Sequence, residues 1–300
     1  VPRQRAVSRP QLTRTRLENA MKSTLFIPTL LMCGAGPALA QSLDNSTAAN
    51  VPAPLVDTGE GSGSGFHGIV AIGGAEAPRY DGAKQYKPMP FGLIDVKYHG
   101  VELGVVGTTL KVNFGGDSHF EYGPLFGLSS SRTNSDAVGV IKLLNPISTS
   151  ENVGAFVGYR FGGNESGQGR LLVSAKFLQD VKSSRGFSFE PSLNYVLIRQ
   201  ERGFVNLDLS TKIDSAKQNR TYFGITDAEA AASGLASYRP GGGLSEVSGG
   251  ITGGYELSRH WGLVGRVQGG TYVGDASKSP IVKNGSKSFG LFAAGVSYSF

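Results

Sequence analysis

Four histidines, His67, His99, His119 and His260, and serines such as Ser129 and Ser131 are the residues of this chain whose types could do hydrolytic or metal chemistry. A histidine within hydrogen-bond reach of a serine activates it as a nucleophile, and the pairing open to this sequence is His119 with Ser129 or Ser131, brought together from separate strands. The histidines are not spaced as a metal cluster, and no HExxH, GxSxG, CxxC or P-loop stretch occurs. Each histidine reads better as a rim or loop residue. Gly241-Gly242-Gly243 and Gly269-Gly270 do not lead from a strand into a helix, as a phosphate cradle must. The single cysteine, Cys33, excludes a disulfide framework and a thiolate-rich metal site. No catalytic residue, no cofactor and no metal is therefore expected.

The elements that would position any site are strands. Among 300 residues there are 44 glycines, without a Gly-X-Y period, and only 17% are charged. The first segments stand apart from the rest. Residues 1–20 form an Arg-rich extension. Met21 and Lys22 lead into an apolar run from Leu25 to Met32 and then Ala38-Leu39-Ala40, the pattern of a secretory signal peptide over 21–40. Residues 41–65 are rich in Asn, Ser, Pro, Ala and Gly without periodicity, and read as a flexible linker. Of the formal net charge of +6, five units belong to residues 1–40, where six basic side chains face one acidic, which leaves +1 for 41–300. A nucleic-acid partner needs a basic stripe on the folded domain and is not expected.

From Phe66 onward the chain alternates at period 2 in segments of about ten residues, separated by turns of Gly, Asn, Ser and Asp. Over 203–214, Val205, Leu207, Leu209 and Ile213 point one way, and Asn206, Asp208, Ser210, Lys212 and Asp214 the other. Val153, Ala155, Val157, Tyr159 and Phe161 form a similar apolar face that ends in aromatics. Eleven segments are visible, with 101–114 taken as one strand, 119–130 as another, and Pro191 marking a bulge or a rim. Single-chain outer-membrane barrels have an even strand count, so an all-β, transmembrane antiparallel barrel of 12 strands is expected over 66–300, with 10 as the alternative. The polar face carries Asp95, Arg160, Lys176, Glu190, Asp208 and Arg266, which a dry β sandwich would exclude; these are the candidate lumen charges. The last strand ends at Phe300 after Tyr298, like the terminal aromatic of outer-membrane proteins, and is expected to close against the first.

Further motifs carry a family resemblance. Gly73-Gly74-Ala75-Glu76-Ala77-Pro78-Arg79-Tyr80-Asp81-Gly82, then Tyr86-Lys87-Pro88-Met89-Pro90, Gly158-Tyr159-Arg160-Phe161-Gly162, Thr221-Tyr222-Phe223-Gly224-Ile225-Thr226, Ser233-Gly234-Leu235 and Gly274-Asp275-Ala276 resemble the MipA/OmpV family of outer-membrane proteins. The resemblance implies a barrel in the outer membrane of a Gram-negative bacterium. It also implies, as partners beside outer-membrane lipid, a lytic transglycosylase and a bifunctional peptidoglycan synthase that the protein holds together as a scaffold. It carries over no catalytic residue.

Two stretches are candidates for loop or partner contacts: Arg79, Tyr80 and Asp81 in the first connection, read as a rigid turn with solvated charges, and Tyr222, Phe223 and Tyr238 in a long connection. That connection is read as the one irregular insertion, with Thr226 capping a short helix that Gly234 ends. The rival readings are a narrow channel for small polar solutes and a surface adhesin or antigen.

Overall fold

The computed structural model describes residues 66–300 apart from 117 and 183, so the expected extension, signal peptide and linker lie outside the described residues. Twelve antiparallel strands form a closed barrel in which each strand pairs with its sequence neighbours and β12 returns to β1. The strands are β1 (His67–Pro78), β2 (Tyr86–Tyr98), β3 (Val101–Val106), β4 (Thr109–Asn113), β5 (Phe120–Leu128), β6 (Glu151–Phe161), β7 (Leu171–Asp180), β8 (Phe187–Gln200), β9 (Gly203–Asp214), β10 (Gly243–Glu256), β11 (Trp261–Tyr272) and β12 (Ser288–Ser299). The alternation sets the wall. Val205, Leu207, Leu209 and Ile213 face out, while Asn206, Ser210 and Asp214 are buried within. Among the described residues no helix is long and apolar enough to cross a membrane; the closed barrel, whose strands satisfy one another's backbone groups, is the spanning structure.

Closure is tight at the seam. Gly73 pairs with Gly295, and a Cβ on Gly73 would lie 1.9 Å from the Ala294 carbonyl oxygen; only a residue without one lets β1 and β12 approach this closely. Below, Gly68 and Phe300 exchange both backbone hydrogen bonds at 3.0 Å.

The expected strand over 101–114 is in fact two. Gly107, at φ +57, turns the chain with Thr108 into a hairpin of β3 and β4. This resolves the count at twelve. It also steps the wall down, because β3 pairs with β2 only from Tyr98 to Leu93. Above Leu93, β2 keeps β1 as its neighbour and has an open edge on the other side. Gly92 points its carbonyl to that edge, accepting from Gly107 N, so the backbone groups of Pro90 and Pro88, two and four residues earlier, point there as well. Proline has no N–H, and two donors that would otherwise stand unpaired are absent.

Pro191 lies at mid-wall, paired with Ala175, and interrupts the β8–β9 ladder without shifting its register; the bulge falls at Val196/Ile198 instead.

The three longest connections, 129–150, 215–242 and 273–287, leave with the shorter 79–85 and 181–186 from the barrel end opposite the first residue of β1 and the last of β12, while the longest connection at the other end, 162–170, has nine residues. In outer-membrane barrels the long loops are extracellular and the short turns periplasmic. At the periplasmic end, exposed Tyr98, Phe120, Phe161, Trp261 and Phe300 form an aromatic band suited to the membrane interface.

Candidate functional site: a filled lumen under a packed cap

Inward-facing positions divide the lumen into an apolar and a charged half. On β1, β2, β11 and β12 the alternation places Ile69, Met89, Phe91, Leu93, Val264 and Leu291 in one buried cluster. Beside and across from it, among the described residues, are ion-paired groups, three of which hold the charges expected in the lumen. In the first, Arg160 of β6 holds Glu121 of β5 through Nε (2.8 Å) and Nη2 (2.7 Å), while Lys111 of β4 takes the other Glu121 oxygen at 2.9 Å. Glu102 lies 3.8 Å from Arg160 and accepts from Asn113 Nδ2 at 3.0 Å; Asp95 faces the same group of charges.

The second pair is Lys176 with Glu190, 3.5 Å apart on directly paired residues of β7 and β8. In the third, Arg266 of β11 donates to both carboxylate oxygens of Asp208 on β9, at 2.7 and 2.9 Å, and to Thr252 Oγ1 and Gln268 Oε1 at 2.7 and 2.9 Å. Ions removed from water need this saturation, since desolvation costs several kcal/mol per ion. The six charges expected in the lumen thus all lie on inward positions, five of them in these pairs.

The lumen is occupied by its own side chains. Leu125 and Glu121 are 1% exposed, as is Asn206, and Leu93 and Gln268 are 2% exposed. Lys111 lies over the Phe156 ring at 4.6 Å, joining the charged half to a cluster of Leu125, Phe156 and Leu178.

The extracellular mouth is covered by loops with a hydrophobic core of their own. Tyr80 and Ala83 from the first connection pack with Ile141 and Leu144 from 129–150, with Ile225, and with Ile281, which is fully buried. A second cluster joins Tyr222, Phe223, Tyr272, Ala276, Val282 and Phe289. Three short helices support these clusters: α1 (Ala216–Phe223), capped by Ser215; α2 (Asp227–Ser233), opened by a reciprocal capping box of Thr226 and Glu229; and α3 (Pro280–Asn284), capped by Ser279. Gly234, left-handed at φ +74, ends α2.

Polar contacts lock the loops to one another. Arg132 donates to the Tyr222 carbonyl (3.3 Å), Tyr222 Oη to the Ser130 carbonyl (3.2 Å), Ser279 Oγ to the Phe223 carbonyl (2.7 Å) and Tyr238 Oη to the Asp275 carbonyl (2.8 Å). Lys87 on β2 fastens the cap to the wall through Asp136 at 2.8 Å.

The electrostatics follow. Burial raises the Tyr222 phenol well above its usual value. Burial pushes the Glu229 carboxyl up, but hydrogen bonds from Thr226 and Asn145 N and the Arg132 charge outweigh it and hold it below the usual value. Asp275 is lowered by the Gly241 N–H and by Lys278.

The structure corrects several expectations. Asp81 is 7% exposed rather than solvated, under the Tyr272 hydroxyl, and Arg79 reaches the Ser135 carbonyl. Tyr80, Tyr222 and Phe223 are buried in the cap and Tyr238 is half-buried, so the cap's own packing uses them. The insertion over 215–242 is not alone: 129–150 is a second long connection and an equal part of the cap. Alternation could not reveal it, although the apolar run Val140-Ile141-Lys142-Leu143-Leu144 after a polar stretch was a signal.

His119 precedes β5 and Ser129 follows it, which separates them by about 30 Å of strand. All four histidines lie at the periplasmic end, His119 against Tyr159 and His260 against Tyr298. Among the described residues no group of three His, Cys, Asp or Glu is arranged to hold a metal ion.

The family model of MltA-interacting protein MipA matches residues 70–300. No curated protein matches the chain. Among solved structures, the chain is similar to the COG4313 outer membrane channel from Pseudomonas putida F1, at 14% identity and a TM-score of 0.41, over 79% of this chain and 96% of that one. It is also similar to the translocator domain of the autotransporter NalP from Neisseria meningitidis, at 11% identity and a TM-score of 0.35, over 81% and 91%. A third is the anion-selective porin from Comamonas acidovorans, at 9% and 0.32, over 79% and 99%.

Proposed function

The chain belongs to the family of MltA-interacting protein MipA, outer-membrane barrels of Gram-negative bacteria, and from that premise we propose that it is an anchor: a filled barrel that holds a murein hydrolase of the lytic transglycosylase class, and with it a bifunctional peptidoglycan synthase, at the inner surface of the outer membrane. The observation that carries this reading is the filled lumen beneath a packed cap. A conduit needs a continuous wet path, whereas an anchor needs a stable wall and an accessible periplasmic rim. Supporting this reading, inward-facing Glu121, Asn206 and Gln268 are buried among their neighbours, and the loop clusters pack above them.

The partner surface on this reading is the set of periplasmic turns at 99–100, 162–170, 201–202 and 257–260, bordered by the aromatic band. The family name supports the choice of partner, since it describes a protein that interacts with MltA.

Crosslinking in intact cells followed by purification from outer membranes tests the reading. A lytic transglycosylase is expected on the protein, lost when the turns at 162–170 and 257–260 are replaced together while the barrel stays heat-modifiable on a gel. Membranes in which neither hydrolase nor synthase is captured contradict it.

The charged half of the lumen favours a second reading, a narrow channel for small polar solutes. That function requires the cap and the Arg160 and Arg266 groups to move aside together.

A further inference from the structure

The two ends of the barrel differ in charge. Each of the five extracellular connections longer than the β3–β4 turn carries an exposed Lys or Arg, among them Lys84, Lys142, Lys182, Arg220 and Lys283. Their acids are largely used inside: Asp81 and Glu229 are buried and Asp136 is paired with Lys87. Among the described residues the periplasmic turns are close to balanced, with Arg170, Arg202 and Arg259 against Glu165 and Glu201. As residues 41–300 carry a net charge of only +1, the basic extracellular face is a local feature and not a property of the whole chain.

One sector of this face is organised. Ser286 N donates to the Gly82 carbonyl at 2.9 Å, and the Ile281 and Val282 side chains pack on Gly82, which holds the β1–β2 connection against the β11–β12 connection. Exposed Lys84 on the first is thereby brought to the same sector of the rim as exposed Lys283 and Lys287 on the second. The outer wall below is apolar. Tyr86 lies across β1 and accepts from Gly290 N of β12 at 2.8 Å, Phe292 and Ile72 are exposed, and the open edge of β2 presents exposed Pro88 and Pro90 where the wall steps down to the β3–β4 hairpin.

Lysines above an apolar, stepped wall match one kind of neighbour. We propose that this sector binds a phosphorylated lipid of the outer leaflet, its phosphate held by Lys84, Lys283 and Lys287 and its acyl chains lying against Tyr86, Pro88 and Pro90. The charges are complementary, the lysines lie in the connections at the extracellular rim, directly beyond the outward strand positions, and clustered basic side chains at a membrane surface each add to the attraction of anionic lipid. Glu76, exposed on β1 opposite Pro88, is the acidic neighbour that the phosphate must clear. The site is independent of the anchoring function.

Native mass spectrometry of the full chain in neutral detergent tests the proposal with a bisphosphorylated disaccharide glycolipid and its dephosphorylated form. The bisphosphorylated lipid is expected to bind and the dephosphorylated form to be retained at least about tenfold less. The triple variant Lys84→Gln/Lys283→Gln/Lys287→Gln is expected to lose binding to the same extent while staying heat-modifiable. Lys142→Gln/Lys182→Gln, on other connections, retains it, and Glu76→Gln binds more tightly. Equal retention of both lipids, or equal losses in the triple and the control variants, overturns the site. A triple variant that does not fold is replaced by the three single ones, each expected to weaken binding; three singles with unchanged binding overturn it too.

Discussion

Arg266 grips Asp208 with two parallel hydrogen bonds across the intervening strand β10, the side chains 2% and 5% exposed. The pair bridges the lumen wall where water is excluded, and it makes the fill of the barrel testable. Arg266→Met leaves Asp208 as an uncompensated buried charge, at a cost of about 3–5 kcal/mol. Heating the barrel in detergent and following its gel mobility checks this: the variant should unfold at a clearly lower temperature. Arg266→Met/Asp208→Leu should recover much of the loss. A single variant with unchanged unfolding would mean that the lumen is wet.

The seam makes a second prediction. Gly73→Val places side-chain carbon against the Ala294 carbonyl, so β1 and β12 cannot close. The heat-modifiable fraction should fall severely, whereas Gly74→Ala, with nothing within 4 Å of the new carbon, should assemble normally.

Cap closure should depend on acidity through Glu229. Its carboxyl is held below the usual value of 4.5 by its hydrogen bonds and Arg132, so the ionised form is the one the cap prefers. That contribution is present above the unfolded-chain value and is lost as pH falls through the lowered folded value. Proteolysis in the 215–242 connection, assayed with an acid-active protease, should rise over this acidic window. Glu229→Gln should make cleavage high and pH-independent there; an unchanged profile would remove Glu229 from the latch.

The prolines of β2 can be tested for edge protection. Pro88→Thr/Pro90→Thr returns two N–H groups to an edge with no strand beside it. Crosslinked dimers through β2 should increase in the purified protein, and a variant that stays monomeric would show that the edge is guarded by other means.

The barrel was legible because its wall separates lipid from lumen residue by residue, so period 2 survives along Val205–Asp214 and Val153–Phe161. The β3–β4 hairpin was not: its turn is two residues, Gly107 and Thr108, and the alternation runs on almost unbroken across it. The cap was illegible for a different reason. Tyr80, Ile141, Ile225 and Ile281 meet from four connections, and nothing local in any one of them announces the others. Thr226 and Gly234 mark a helix in the sequence because capping is local chemistry, while the alternation of β9 runs directly into Ser215 and hides the cap of α1. Asp81 is buried although its Asp-Gly pair signals a turn, because a turn signal does not say what the turn packs against.

The central claim, that this member of the MipA family is a filled anchor and not a conduit, is tested most directly by single-channel recording of the purified full-length barrel in planar bilayers at neutral pH. The account predicts a bilayer with inserted, heat-modifiable protein and no stepwise conductance, and conductance steps only when the lumen groups at Arg160 and Arg266 are replaced together with deletion of the cap. Regular conductance steps from the unmodified protein would contradict it.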